Sequence, residues 1–592
     1  MNATTMNIKI HYYNEIYMRI ETERSIEYEL REEFSFYTNN YQFNPKFKSG
    51  QWDGKIRLYN GRDKTLYVGL LYDLYQFAKR NGYTITVNEG DKSQFKPSVT
   101  LDECWIDKFN ETMSLYKFKD YQRNAFVQAI SHNKTLILSP TGSGKSFLLY
   151  AIVRYLIDSG HVNKRKRMLI NVPNIGLVNQ LLYDFKEYTV DGFDIESWVT
   201  QAGGDNVEDE SVPIVISTWQ TSMRKPKDYF ECFNAYALDE AHQATAKEIT
   251  NIIDKLEFCK FKVGMTGTLD GTDMHELEMR ARFGKLYRAA TTKQLMDSGD
   301  LAKLVIDARV IRYNDDDVTA LHKELRGKTA VAKYKAEIDY IVEHELRNKY
   351  LMDTAFATDK NSLMLFNYVD KHGKMLLEKM LPHQDEHCKR VYFIYGGISG
   401  NEREEIRQVL DKKPPVWYDV YVSDTEFVRI RGEKTITLSD GNTVSGYDLK
   451  MYKKYELCSK WINTVVTNKL CYNTIELDDK RVYKSSKIVI KRGSCILLAS
   501  YGTLTVGINI KNLHTLILCH PVKGQIRLLQ SIGRILRKAN DKNEVVLVDV
   551  VDNLEKKTAK KTSKNTLLKQ FLTRLEIYEA QEFEYGISKV KI

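Results

Sequence analysis

The stretch TLILSPTGSGKSFLLYAIVRYLI, Thr135 to Ile157, decides the reading of the chain. A short strand-like run, TLIL, enters a glycine-bearing loop, SPTGSGKS (Ser139–Ser146), and the loop enters an apolar helical pattern. A phosphate-binding loop requires that context. Gly142 and Gly144 let backbone N–H groups approach phosphate oxygens with no Cβ in the way. The backbone from Thr141 through Ser143 forms the cradle, and the start of the following helix favours negative charge. Lys145 is placed to reach the β- and γ-phosphates of ATP, and Ser146 to offer its hydroxyl to Mg²⁺. Ser139 stands where the general pattern has its first glycine. The competing reading is a glycine-rich turn without function, and the strand before it and helix after it argue against that.

Outward from the loop, short apolar strands alternate with helical patterns: TLILS, MLINV, IVIST, AYALDE and KVGMTG before residue 295, then SLMLF, RVYFIYG, CILLAS, TLILCH and EVVLVDV. Such alternation predicts parallel sheets covered by helices, here two α/β units in tandem. The boundaries read as a small α+β domain over residues 1–95, a polar linker over 96–115, a first α/β domain over 116–295, a second over 296–553, and a basic tail with a C-terminal helix over 554–592. A long helical region is expected from about Val318 to Phe356. Residues 411–494 break the pattern with period-two alternation and an Asp440-Gly441 turn, the mark of a β-rich insertion.

Composition sets bounds. The 592 residues allow several domains, and 43% hydrophobic with 28% charged residues is ordinary for a chain that builds its own core. The eight cysteines include no C-x-x-C pair, so neither a zinc site nor a disulfide framework is expected. No secretory leader and no apolar run long enough for a membrane span is visible. The formal charge of +10 suits a polyanionic partner without identifying one.

Two further motifs carry chemistry. In YALDEAH, Tyr236–His242, a strand ends in two carboxylates; Asp239 is suited to Mg²⁺ and Glu240 to orienting and deprotonating a water. In QSIGRILR, Gln530–Arg537, Arg534 and Arg537 stand three apart and are expected on one helical face, presenting guanidinium groups to the γ-phosphate across a domain cleft. Singly, each motif has a bland alternative in a surface acid pair or a basic helix. In this order, at the ends of two α/β units, the series is not accidental.

With these residues the chain resembles the superfamily 2 helicases over most of Tyr116–Asp552, the insertion apart. The resemblance implies that the two α/β units are RecA-like P-loop domains of one motor, and it implies roles residue by residue. Gln122 in FKDYQRNA reads adenine, and Gln530 and Gly507 join the nucleotide site. Pro173 and Gln180 in VPNIGLVNQ, Thr218 and Gln220 in STWQTS, and Thr503 in SYGTLTVGINIKNL contact the nucleic-acid strand. Thr266 and Thr268 couple hydrolysis to domain movement, and His242 links ATP state to closure. Where the family often has G-x-D, this chain has Gly507-Ile508-Asn509.

A closer likeness is to phage-encoded UvsW-type helicases, carried by FNPKFKSGQWDGKIRLYN and by YGTLTVGINIKNLHTLILCHPVKGQIRLLQSIGRILRK. It implies ATP-dependent unwinding and annealing of branched DNA, 3′ to 5′ polarity, a DNA-binding N-terminal domain, a role beside recombination or replication proteins, a monomer, and the host cytoplasm as location. Physically, Lys46, Lys48, Lys55 and Arg57 would meet phosphates. Phe43, Trp52 and Tyr59 either stack on bases or fill a small core. Contacts of this kind predict little sequence preference. The rival readings are a double-strand translocase, an RNA helicase, and a non-catalytic junction-binding protein.

Overall fold

The computed structural model describes residues 7–38, 41–204, 206–241, 246–269, 273–412, 415–421, 427–431, 435–437, 443–445, 473–477, 482–485, 487–504, 510–539, 542–555 and 565–592. His242, Gly507, Asn509 and the basic run 556–564 lie outside them. The chain divides into two units, Met1–Leu295 and Met296–Ile592.

The first unit opens with strands β1 (Asn7–Tyr12), β2 (Tyr17–Glu21), β3 (Ser35–Tyr37), β4 (Lys55–Arg57), β5 (Thr65–Tyr67) and β6 (Thr84–Val87). Four of them make a mixed sheet in the order β5-β2-β1-β6; β3 and β4 pair apart as a ribbon. The helix expected from Leu71 to Asn81 is present with those bounds and stops at Gly82, whose φ of 72° is the left-handed C-cap that glycine adopts without strain.

Strands β7 (Lys134–Leu138), β8 (Arg167–Val172), β9 (Val199–Ala202), β10 (Ile214–Thr218), β11 (Phe233–Leu238), β12 (Phe261–Thr266) and β13 (Lys285–Arg288) follow. They form one sheet in the order β13-β7-β12-β11-β8-β10-β9, parallel at every pairing. The fully buried runs in β8, β10 and β12 are what a sheet covered on both faces demands.

One face carries the buried helix Lys145–Asp158 together with Trp105, Phe109 and Phe126. The Trp105 ring stacks on Phe109 at 4.8 Å and on Phe126 at 5.5 Å. The expected linker over 96–115 is therefore largely helical and packed, with a helix at Glu103–Lys108 and a π-turn at Phe109–Met113. Trp105, Ile106, Phe109 and Met113 recur at three- and four-residue spacing, a helical period that the linker reading passed over, and the sheet face shows what they bury against.

The other face shares a continuous core with the N-terminal sheet: Ile8, Met18 and Leu74 cluster with Leu136, Leu169 and Val215. Polar ties reinforce the junction. Glu15 pairs with Lys134 at 2.6 Å, Lys262 Nζ donates to Glu15 O at 2.7 Å, and Tyr17 Oη donates to Asp254 at 2.9 Å. Gly69 lies so close to the Arg280 and Ala281 carbonyls that an added Cβ would sit 2.4 Å from each. The N-terminal module is thus docked on the first motor sheet within one unit.

In the second unit the strands are β14 (Lys303–Arg312), β15 (Ser362–Phe366) and β16 (Lys389–Ile394), then β17 (Val416–Tyr421), β18 (Phe427–Arg431), β19 (Thr435–Thr437), β20 (Thr443–Ser445), β21 (Asn473–Leu477), β22 (Val482–Ser485) and β23 (Lys487–Arg492), and finally β24 (Ser494–Ser500), β25 (Thr515–Leu518), β26 (Glu544–Asn553) and β27 (Glu584–Lys591). The main sheet runs β16-β24-β15-β25-β26-β14-β27, again parallel.

Strands β17 to β23 pair antiparallel in two small sheets, so the period-two block is the β-rich insertion that its alternation predicts. The long helical region is three helices, Asp315–Glu324, Ala330–Glu343 and Glu345–Phe356. Thr329 and His344 cap the second and third with their side chains, which is why an unbroken helix does not form. The tail is not an appendage: after the helix Thr566–Ala580, β27 joins the edge of the main sheet along β14.

His372 and His520 are buried near the ends of β15 and β25. Burial pushes the His520 imidazole down to about 4, helped by the Arg347 charge and opposed by its contact with the Pro521 carbonyl. A folded pKa below the unfolded value of about 6.5 means the unfolded chain binds the proton first. The stabilisation is complete above pH 6.5 and is lost as pH falls toward 4. Hydrogen exchange at β25 is expected to show opening free energy falling by about 3 kcal/mol across that window from this group. The fall should be smaller in His520→Gln; the same slope in both proteins contradicts this assignment.

Candidate nucleotide site and strand-contacting edge

The phosphate loop follows β7 at the carboxyl edge of the first sheet, where open parallel sheets place their ligands. Gly142 and Gly144 take φ of 87° and 81°, left-handed values that a side chain resists. Gly144 has a second reason to be glycine: an added Cβ would lie 2.5 Å from Gln122 Nε2. That amide donates to the Ser143 carbonyl at 2.8 Å while its oxygen accepts from Lys119 N–H at 3.1 Å. Tyr121 Oη donates to the same Ser143 carbonyl at 2.8 Å. Gln122, expected to read adenine, therefore holds the loop with one end of its amide and caps the start of its own helix with the other in this conformation. Ser139 hydrogen-bonds the Ser143 hydroxyl at 2.7 Å, so the residue that departs from glycine ties the two ends of the turn together.

Lys145 begins the helix Lys145–Asp158, and its ammonium donates to Ser139 O at 3.3 Å and stands 3.6 Å from Glu240 Oε1. The 266–268 segment crosses beside it. Ser139 N–H donates to Thr266 O at 2.9 Å, and a Cβ on Gly267 would come within 3.3 Å of both Lys145 Nζ and Thr141 Oγ1. Thr266 Oγ1 donates to Thr268 O at 2.7 Å, which shapes that turn. The loop, the Asp-Glu pair and the Thr266–Thr268 turn follow β7, β11 and β12, neighbouring strands of one edge.

Glu240 holds a φ of 47°, a left-handed conformation uncommon for a residue with a side chain. Its N–H donates back to Asp239 Oδ1 at 2.9 Å. Burial, then the neighbouring Glu240 charge, push the Asp239 carboxyl up to about 7, while the Lys145 ammonium pulls the other way. A bound cation would reverse the push. Ser146 and Asp239 are hard oxygen donors of the kind Mg²⁺ takes, so the residues present fit that ion.

Of the next strands along the edge, β8 leads into Pro173 and β10 ends at Thr218, with Thr218 in register with Val172. Asn171, which the sequence did not single out, links this region to the carboxylates. Its backbone oxygen accepts from Asp239 N–H at 2.9 Å. Its side-chain amide donates to Ser222 Oγ at 2.7 Å and to Ser217 O at 3.2 Å, and its oxygen accepts from Tyr236 Oη at 3.2 Å. An asparagine inside the apolar strand run MLINV was the available signal, and the structure buries it fully.

Of the expected strand contacts here, Gln220 is exposed and Gln180 half-buried. Pro173 and Thr218 are buried; Thr218 Oγ1 caps the helix Trp219–Met223 by accepting from Thr221 N–H at 3.3 Å. In the N-terminal module Lys46 and Lys48 are exposed on the turn Pro45–Lys48, whereas Lys55 is held by Glu32 and Arg57 by Asp53. Tyr59 fills the core and Phe43 is 70% exposed, so these two aromatics divide between the two readings.

In the second unit, Thr503 is turned inward, its hydroxyl 2.5 Å from Ser500 Oγ. Gln530 and Arg534 lie on the helix Gln525–Ile535 and are half-buried. Arg537 is not on that helix. The chain leaves it at Leu536, whose carbonyl accepts from Ala302 N–H at 2.8 Å, and Arg537 forms a β-bridge with Leu301. The two arginines therefore do not share a helical face: the helix ends at Ile535, and the approach to β14 captures the chain at Arg537.

A parallel sheet whose edge carries a phosphate loop, an Asp-Glu pair and a coupled neighbouring edge, followed by a second sheet of the same kind, defines a nucleotide-hydrolysing motor. Comparisons agree. Residues 7–88 match the family model for the DNA helicase UvsW N-terminal region, and residues 115–271 match that for the type III restriction enzyme res subunit. The ATP-dependent DNA helicase uvsW of Enterobacteria phage T4 is 28% identical over 602 residues, spanning 99% of this chain and all of the relative. Two solved structures of T4 UvsW are similar to it. One is 26% identical over 99% of this chain and 100% of that chain with a TM-score of 0.44; the other is 30% identical over 48% of this chain and 100% of that chain with a TM-score of 0.43. The chain is similar to the UvsW-type superfamily 2 helicases over 99% of its length and is an ATP-hydrolysing enzyme.

Proposed function

We propose that the protein spends ATP on moving along DNA and separating its strands, and that its substrates are branched: replication forks, Holliday junctions, and R- or D-loops met in recombination, repair and replication restart. The observation that carries this reading is Asn171. One buried residue receives the backbone N–H of Asp239 and holds Ser217 and Ser222 behind the β10 edge, so movement at the hydrolytic carboxylates is passed to that edge. Lys145 and the loop hold the phosphates, Ser146 and Asp239 hold Mg²⁺, and Glu240 positions and deprotonates the attacking water. The metal supplies charge neutralisation on the phosphates. The helicase resemblance gives Arg534 and Arg537 the role of meeting the charge that develops on the γ-phosphate; arginines in this role are worth about 10³–10⁵ in rate in related enzymes.

Strand contacts through Gln180 and Gln220 and through Lys46 and Lys48 read phosphate and sugar rather than bases. The protein acts as a monomer in the cytoplasm of the host. Strand release measured side by side on forks, Holliday junctions, plain duplex and RNA duplex tests the substrate. The reading expects forks and junctions to be resolved fastest; equal rates on DNA and RNA, or ATP use with no strand released on any of them, contradict it. Arg537→Ala is expected to lower the rate of ATP hydrolysis by at least 10²-fold with nucleotide affinity changed far less. Equal loss of both removes Arg537 from that role.

A further inference from the structure

At the amino edge of the first sheet, opposite the nucleotide site, a cleft of about 520 Å³ opens between the N-terminal module and the strands. Its lining includes Tyr72, Lys96, His132, Lys134, Lys260 and Lys285. The strands β13, β7 and β12 are adjacent, and each enters the sheet at a lysine: Lys285 opens β13, Lys134 opens β7 and Lys260 precedes β12. Glu15 is the lining carboxylate, and it is 2.6 Å from Lys134, so that pair is neutral. Lys96, Lys260 and Lys285 are exposed and form no ion pair among the described residues; the Lys285 ammonium lies over the Tyr72 ring at 4.8 Å. Tyr72 itself is 49% exposed. Gly284 permits this approach, because at its φ of 93° an added Cβ would lie 2.3 Å from Lys134 O.

The volume falls in the range of ligand sites, about 300–1,000 Å³. The cations stand in a row rather than converging on one point. Adjacent strands are about 4.8 Å apart, so Lys285 and Lys260 enter two strands, roughly 10 Å, from each other. A row of cations beside an exposed aromatic ring suits a chain of phosphates with unstacked bases better than a single small anion.

We propose that this cleft is a second nucleic-acid site that takes one single-stranded DNA arm of a branched substrate while the carboxyl edge engages another. The site rests on the DNA reading given above. It would keep apart two strands that would otherwise re-anneal, and it is built from the docked N-terminal module and the motor sheet together.

The test uses the full chain and Lys96→Gln/Lys260→Gln/Lys285→Gln, three exposed positions whose replacement leaves the core intact. Binding of a labelled duplex with and without a single-stranded arm is followed across salt concentrations. The variant should lose the extra affinity that the arm confers. The slope of log affinity against log salt on the armed substrate should fall by about 2, at about 0.7 for each lost contact to a single strand. Tyr72→Ala should weaken the arm-specific affinity alone. Wild-type binding of both substrates with an unchanged triple variant overturns the site and leaves the functional reading standing. A wild-type chain that binds neither overturns both. Inorganic phosphate or a nucleoside monophosphate displacing the arm as well, per phosphate, as an oligonucleotide does also overturns the site, because it makes the ligand a small anion.

Discussion

Lys145→Ala is expected to reduce ATP hydrolysis by a factor of 10³ or more while DNA binding in the absence of nucleotide persists. The ammonium sits in a converging set: Ser139 O at 3.3 Å, Glu240 Oε1 at 3.6 Å, and Gly267 close enough that a methyl there would touch it. It is 9% exposed, so water replaces little of its charge once it is gone. Two effects then act together. The phosphates lose a fixed cation in a site of low dielectric, an electrostatic loss of the kind that costs about 10²–10³ for one donor. Asp239 also loses the charge that holds its carboxyl down against burial and Glu240, so its metal-holding form becomes harder to reach. The residues expected to contact DNA are elsewhere, which is why binding should survive. Steady-state hydrolysis together with nucleotide-free DNA titration checks this, and near-normal turnover contradicts the assignment.

The second large effect concerns stability. Arg347 is fully buried and joins the fully buried Asp552 carboxylate through two bonds, Nε to Oδ1 at 2.6 Å and Nη2 to Oδ2 at 2.9 Å. Nη2 also donates to Cys519 O at 3.0 Å, and Tyr313 Oη donates to Asp552 at 2.6 Å. Burial works against the guanidinium charge, and Asp552 more than offsets it, so the Arg347 pKa is raised. The group ties the helix Glu345–Phe356 to the ends of β25 and β26. Arg347→Met removes one partner and leaves a carboxylate in an apolar interior, which costs about 3–5 kcal/mol. Hydrogen exchange along β26 should show that loss in opening free energy. Arg347→Met/Asp552→Leu should recover much of it, because the orphaned charge is gone. A single variant within about 1 kcal/mol of wild type would mean that the pair is solvated in a way its burial denies.

The fold was legible where periodicity was strong. Apolar runs such as IVIST and SLMLF mark the buried parallel strands, and the change to period two between residues 411 and 494 marks the antiparallel insertion. It was not legible where burial depends on a distant partner. β27, EYGISKVK, is almost wholly exposed at a sheet edge, so it carries no hydrophobic pattern and is held by backbone pairing to β14. Trp105, Ile106, Phe109 and Met113 carry a helical spacing, but the sheet face they bury against lies in distant sequence.

The site divides in the same way. Lys145, Asp239, Glu240 and the two loop glycines are fixed by the order strand, turn, helix and by one-residue adjacency, which local sequence encodes. Asn171 works through three other segments at once, and no local pattern announces that. Arg537 left its expected helical face because Leu301 and Ala302, more than two hundred residues earlier, pair with the chain at Leu536–Arg537. Lys55 and Arg57 read as free cations, but the β3–β4 ribbon brings Lys55 to Glu32, and the turn before β4 brings Arg57 to Asp53.

The rate of ATP hydrolysis by the full chain, measured with and without single-stranded DNA, tests the central claim most directly. If the hydrolytic carboxylates and the strand-contacting edge are joined as the Asn171 network implies, DNA should raise the rate at least tenfold, and Asn171→Ala should blunt the rise more than the basal rate. The same rate with and without DNA would contradict the account.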